Sequence, residues 1–69
     1  MVYPKISLKA ARVNANLSQK EAAIALGVNV STLQNYEKGE TVPDWDMVKR
    51  IENTYRFPAD FIIFTPESA

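Results

Sequence analysis

Neither cysteine nor histidine occurs among the 69 residues of the chain. The lack of thiols excludes a disulfide framework, and the lack of both residue types excludes a Cys/His cluster holding a structural metal. The same absence removes the groups that most often activate a nucleophile or carry a proton. Asp44 and Asp46 are neighbouring carboxylates, but a carboxylate pair working on a glycoside needs a substrate cleft beside it. A chain this short buries only about 60% of the surface its unfolded form exposes, which leaves little room for such a cleft. The expectation is therefore a protein that is not an enzyme, with no cofactor, no metal and no small-molecule ligand.

Long apolar runs are missing as well. No segment approaches the roughly 18 to 20 apolar residues that cross a bilayer, and the opening Met1-Val2-Tyr3-Pro4-Lys5 is not followed by a signal-peptide core. A soluble, cytoplasmic protein without a membrane partner is expected, and the absence of cysteine is compatible with a reducing cytoplasm. Excess charge is the third lack: eight Lys plus Arg balance eight Asp plus Glu. With no global positive field to draw in nucleic acid, any such binding must rest on local placement of charge.

What is present is a series of helix starts and stops. Ser7 is an N-cap for a short first helix carrying Leu8, Lys9, Ala11 and Arg12, ending near Asn14 to Asn16, where Asn tolerates turn conformations. Ser18-Gln19-Lys20-Glu21 is a capping box, and Ala22 to Leu26 continue the second helix to Gly27, which can take the left-handed conformation that ends it. Asn29 can cap a third segment, Val30 to Lys38, in which Leu33, Tyr36 and Glu37 share one side, and Gly39 closes it. With so short a connection, the second and third helices must turn sharply and pack on each other. Glu40 to Pro43 form a loop, and Asp44 caps a fourth helix whose apolar stripe is Trp45, Val48, Ile51 and Tyr55. Pro58 drives Phe57 toward an extended conformation, and Ala59 to Phe64 are expected to form a short fifth helix before Pro66. With no repeat or linker, residues 1–69 are expected to form one domain.

Taken together, Arg12, Leu17-Ser18-Gln19-Lys20-Glu21-Ala22-Ala23, Leu26-Gly27-Val28, Ser31-Thr32-Leu33, Tyr36-Glu37-Lys38-Gly39, Pro43 and Ile51 resemble the phage repressor/Cro (XRE-type) helix-turn-helix family over residues 7–64. The resemblance implies an all-α, compact five-helix, lambda-repressor-like domain whose second and third helices form the helix-turn-helix unit. It also implies a sequence-specific regulator of transcription, a repressor of phage or prophage type, that binds an operator in double-stranded DNA as a homodimer. In such a family the outward edge of the third helix enters the major groove, so Asn29, Val30, Ser31, Gln34 and Asn35 are implied to meet bases. Asn and Gln suit adenine, Ser donates or accepts, and Val30 suits a thymine methyl, so A·T contacts are expected. Gln19, Lys20, Lys38 and Lys9 are implied to face the DNA backbone, and Arg12 and Glu37 to form a structural ion pair.

Three departures from the family pattern stand out. The loop Glu40 to Asp46 carries Glu40, Asp44 and Asp46, which would repel phosphate. Glu52 stands where a small apolar residue is usual, and Arg56 stands where glycine usually follows the fourth helix. A non-Gly residue in the left-handed region costs roughly 1 kcal/mol, so a different helix end is expected there. Phe57, Phe61, Ile62, Ile63 and Phe64 exceed what one face of a short helix can hide, so Phe61 to Phe64 are expected to form a dimer contact. The rival reading, suggested by the neutral net charge and the acidic loop, is a helix-turn-helix fold used as a protein-interaction module without operator binding.

Overall fold

Three of the four helices among the described residues begin where a side chain satisfies a backbone amide that a first helical turn leaves without a partner. In the computed structural model, which describes residues 4–64, a short strand β1 (Ile6–Ser7) leads into α1 (Leu8–Asn14), where Ser7 Oγ accepts from the Ala10 amide at 3.0 Å. Ahead of α2 (Gln19–Leu26), Ser18 Oγ accepts from the Glu21 amide and Glu21 Oε1 accepts from the Ser18 amide, a complete capping box. These bonds hold the Glu21 carboxyl below its ordinary pKa. Asp44 Oδ1 accepts from the Met47 amide at 2.9 Å and starts α4 (Trp45–Tyr55). Helix α3 (Val30–Lys38) begins after an extended Asn29 whose side chain makes no capping bond.

The helix ends use the left-handed region four times: at Asn16, Gly27, Gly39 and Arg56. At Gly27 a Cβ would meet only Arg50 Nη1, at an ordinary 3.6 Å, so the φ of +74° rather than crowding is what calls for glycine. Arg56 corrects an expectation. It adopts the left-handed conformation with φ 54°, so the helix ends as a glycine would end it, with the strain retained.

One apolar cluster holds the helices together. Leu8 and Ala11 of α1, Ala22, Ala23 and Leu26 of α2, Leu33 of α3 and Ile51 and Tyr55 of α4 are all buried. Ala22 and Ala23 have no bulk beyond Cβ, which lets α2 lie close to its neighbours. Arg50 Nη1 donates to the Leu26 carbonyl at 3.2 Å, tying α4 to the end of α2. Among the described residues no helix is long and apolar enough to cross a membrane.

Two elements differ from the sequence expectation. A fifth helix over Ala59 to Phe64 is not formed; Ala59–Phe61 make a single 3-10 turn, and Ile62–Ile63 form strand β2, which pairs in parallel with β1. The described residues thus hold four α-helices and a two-stranded ladder, so the domain is mainly rather than wholly helical. Six residues confined by Pro58 are too few for a helix to repay its nucleation cost, and the β-branched pair favours extended backbone. Glu52 stabilises the turn, since its Oε2 accepts from the Ala59 amide at 2.8 Å. Trp45 is the second correction: it does not join the apolar stripe and is 72% exposed. At roughly 100° per residue it lies about 120° around the helix from Ile51, outside the buried arc.

Because Arg56 keeps a conformation that costs a side chain roughly 1 kcal/mol, Arg56→Gly is expected to raise stability by about that amount, less the extra entropy glycine loses on folding. Urea unfolding of the two proteins measures the difference.

Candidate nucleic-acid interface

The outward side of α3 is fixed from behind by a chain of polar side chains. Arg12 of α1 donates from Nε to Glu37 Oε2 at 2.6 Å and from Nη1 to the Leu17 carbonyl at 2.8 Å. Both side chains of the pair are almost fully buried, with exposures of 8% and 6%. Removing one member of such a pair strands a buried charge, an effect on the order of 3 to 5 kcal/mol. The other oxygen, Glu37 Oε1, accepts from Gln19 Nε2 at 3.1 Å, and Gln19 Oε1 accepts in turn from Gln34 Nε2 at 3.3 Å. Three helices are thereby tied through four side chains, and the last of them lies on the outer edge of α3.

Helical rotation of about 100° per residue brings Ser31 and Lys38 to the centre of the exposed arc of α3, flanked by Gln34 and Asn35. Ser31, Lys38 and Asn29 are exposed, Gln34 and Asn35 half-buried, and Val30 is exposed at the edge of the arc beside Gln34. Leu33, on the opposite side, is fully buried in the core, and Tyr36 packs against it. One proton of the Gln34 amide is committed to Gln19; its second proton and its carbonyl oxygen have no partner among the described residues. Such an amide retains the donor and acceptor needed for a two-bond contact with a base edge.

Between α1, α2 and α3 lies a cleft of about 330 Å³ lined by Lys9, Gln19, Gln34, Glu37 and Lys38. Lys9 and Lys38 are exposed, while Gln19 is half-buried. Lys20 is also exposed, on α2, but does not line the cleft. At the other end of the chain, Ile62 belongs to the core at 6% exposure. Phe61 and Phe64 pack against that core and Ile63 is half-buried. The apolar excess at the C-terminal end is thus largely used within the monomer, because strand β2 turns Ile62 inward.

The structure adds contacts to what the sequence pattern offers, which placed Tyr55 only in the apolar stripe of α4. Tyr55 lies buried behind the ion pair, and its hydroxyl has no hydrogen-bond partner among the described residues. Burial, reinforced by the Glu37 carboxylate and opposed by Arg12, pushes its pKa up to about 12. The pairing of Gln19 with Gln34 has as its local sequence signal an amide side chain on each of two helices joined by a short turn.

Compared with known families, the chain matches the helix-turn-helix family over residues 8–62. It is similar to the HTH-type transcriptional regulator ImmR of Bacillus subtilis (strain 168), with 38% identity over 56 residues, or 81% of this chain and 44% of that protein. The chain thus spans less than half the length of this relative. No solved structure matches.

The orphaned hydroxyl and its raised pKa make one prediction. Tyr55→Phe removes a buried, unsatisfied group while keeping the ring, and is expected to raise stability by about 1 kcal/mol. In the native protein the neutral hydroxyl is favoured on folding, so this contribution is intact below pH 10.0 and is lost as pH rises toward about 12. Denaturant titrations at several alkaline pH values should therefore show the stability advantage of Tyr55→Phe widening across that window.

Proposed function

The chain belongs to the XRE-type helix-turn-helix family, and from that membership we propose that it is a sequence-specific double-stranded DNA-binding regulator of transcription. Its mode of action is that of a repressor of phage or prophage type, acting in the cytoplasm on nucleoid DNA and blocking a promoter by occupying an operator. Helix α3 enters the major groove with its outward arc. The observation that carries this reading is the combination of an uncharged polar edge, Ser31, Gln34 and Asn35, with a back anchored through Gln19, Glu37 and Arg12. A base-reading edge must be held in register, and side chains whose partners are already fixed lose less freedom on binding.

In this reading Gln34 and Asn35 meet adenine, Ser31 and Asn29 meet neighbouring base edges, and Val30 touches a thymine methyl. Lys9 and Lys38, on either side of the cleft, and Lys20 and Gln19 on α2 meet the phosphates. The acidic loop opposes phosphate: Glu40, Asp44 and Asp46 are all exposed, with Asp44 accepting from the Met47 amide at the start of α4. Operator binding as a homodimer supplies a two-fold arrangement with half-sites about 34 Å apart.

The test is a salt series on bound duplexes. Lys38→Ala is expected to weaken binding to all sequences equally and to reduce the slope of log K against log salt by about 1. Asn35→Ala is expected to lower discrimination between sequences by about 1 to 3 kcal/mol with the slope unchanged. Binding indifferent to salt and to both substitutions would overturn the DNA reading in favour of a protein-interaction module.

A further inference from the structure

The relay behind α3 does more than hold the reading edge still, because each of its hydrogen bonds has a direction. A carboxylate can only accept, and the side chains that Glu37 meets are all donors: Arg12 Nε at 2.6 Å, Arg12 Nη2 at 3.5 Å and Gln19 Nε2 at 3.1 Å. With its NH2 group turned to that carboxylate, Gln19 offers its oxygen on the other side, and Gln34 answers with nitrogen at 3.3 Å. The opposite order would set the Gln19 oxygen against Glu37, acceptor on acceptor, beside an ion pair that is almost fully buried. Unsatisfied polar contacts are costly in such surroundings, so one direction of the two amides satisfies every group and the other does not. In that direction Gln34 keeps its carbonyl oxygen and its second proton for the base. One acceptor with one donor complements adenine, which presents N6–H2 and N7, whereas guanine presents two acceptors, O6 and N7. A Gln34 amide turned the other way would face the base with protons alone and suit guanine.

We propose that Glu37, acting through Gln19, sets the direction of the Gln34 amide and so selects adenine over guanine at the base pair that Gln34 reads. Glu37 and Gln19 are then positioning residues for specificity, and neither touches that base. The inference rests on the proposed DNA reading and adds to it which residues decide the base. Gln19 is the point at which the direction can be reversed. It is half-buried at the first position of α2, so a charge placed there is not confined to the core. A lysine keeps a donor toward Glu37 but carries no acceptor. Gln34 can then bond to it only through oxygen, which turns the Gln34 protons toward the base.

Selection of bound duplexes with the full chain, compared with Gln34→Ala to mark the base pair that Gln34 reads, tests the assignment. The native chain is expected to favour adenine over guanine there by about tenfold or more. Gln19→Lys should reverse the preference. Gln19→Met, which can neither donate to Glu37 nor fix Gln34, should leave neither base favoured, and serves if the lysine disturbs the ion pair. Gln19 also faces phosphate in the proposed function, but a backbone contact common to two duplexes leaves their ratio unchanged. Amide NMR signals of the DNA-free protein read the direction independently. One Gln34 amide proton should be hydrogen-bonded in the native chain and released in both variants, with the Gln34 carbonyl carbon moving downfield in Gln19→Lys alone. Gln34 signals that do not respond to Gln19, or an adenine preference kept in both variants, would overturn the proposal and leave the DNA reading standing. Amide signals as expected, with no sequence preference in the native chain, would instead overturn the DNA reading and the choice of base with it.

Discussion

The buried ion pair between Arg12 and Glu37 is the constraint on which the arrangement of this domain depends. It joins α1 to the end of α3 with almost no exposure, and in such surroundings neither charge can be left alone. Replacing a buried pair by apolar residues is often neutral or stabilising, so stability by itself does not explain it. What the pair provides is direction. Glu37 has two oxygens; one is held by Arg12, and the other orients Gln19, which orients Gln34. A methyl-bearing side chain in place of Glu37 would fill the same space and orient nothing.

The balance of charge follows the same economy. A chain with zero net charge has no long-range pull on DNA, so its bases and acids must be distributed by position. Acids at Glu21 and Asp44 are used at helix starts, and Glu52 at the turn after α4. Lys9 and Lys38 flank the cleft beside α3. A chain that is neutral in sum thus places two lysines beside α3.

Much of this was legible from residue order, and the reasons separate cleanly from those for what was not. Helix starts were readable because Ser7, Ser18 and Asp44 act within three residues of themselves, and Gly27 and Gly39 mark left-handed ends by their own conformational freedom. The family resemblance supplied the partners Arg12 and Glu37, which are 25 positions apart and could not be paired from local pattern. Where tertiary contacts decided, the pattern misled. Ile62 and Ile63 pair with Ile6 and Ser7 from the far end of the domain, a parallel ladder that no local signal announces. Trp45 was assigned to the core because it is apolar, although its place on the helix turns it to solvent. Arg56 shows the converse: a local penalty was accepted because the chain after α4 must bend back to bring Phe57 into the core.

The central claim is that an anchored, uncharged edge of α3 reads base pairs. Selecting bound duplexes from a random double-stranded DNA pool with the full chain tests it most directly. The account predicts enrichment of a two-fold symmetric sequence with A·T pairs in each half-site and half-site centres about 34 Å apart. Recovery of no common sequence, with DNA retained equally across the pool, would contradict it.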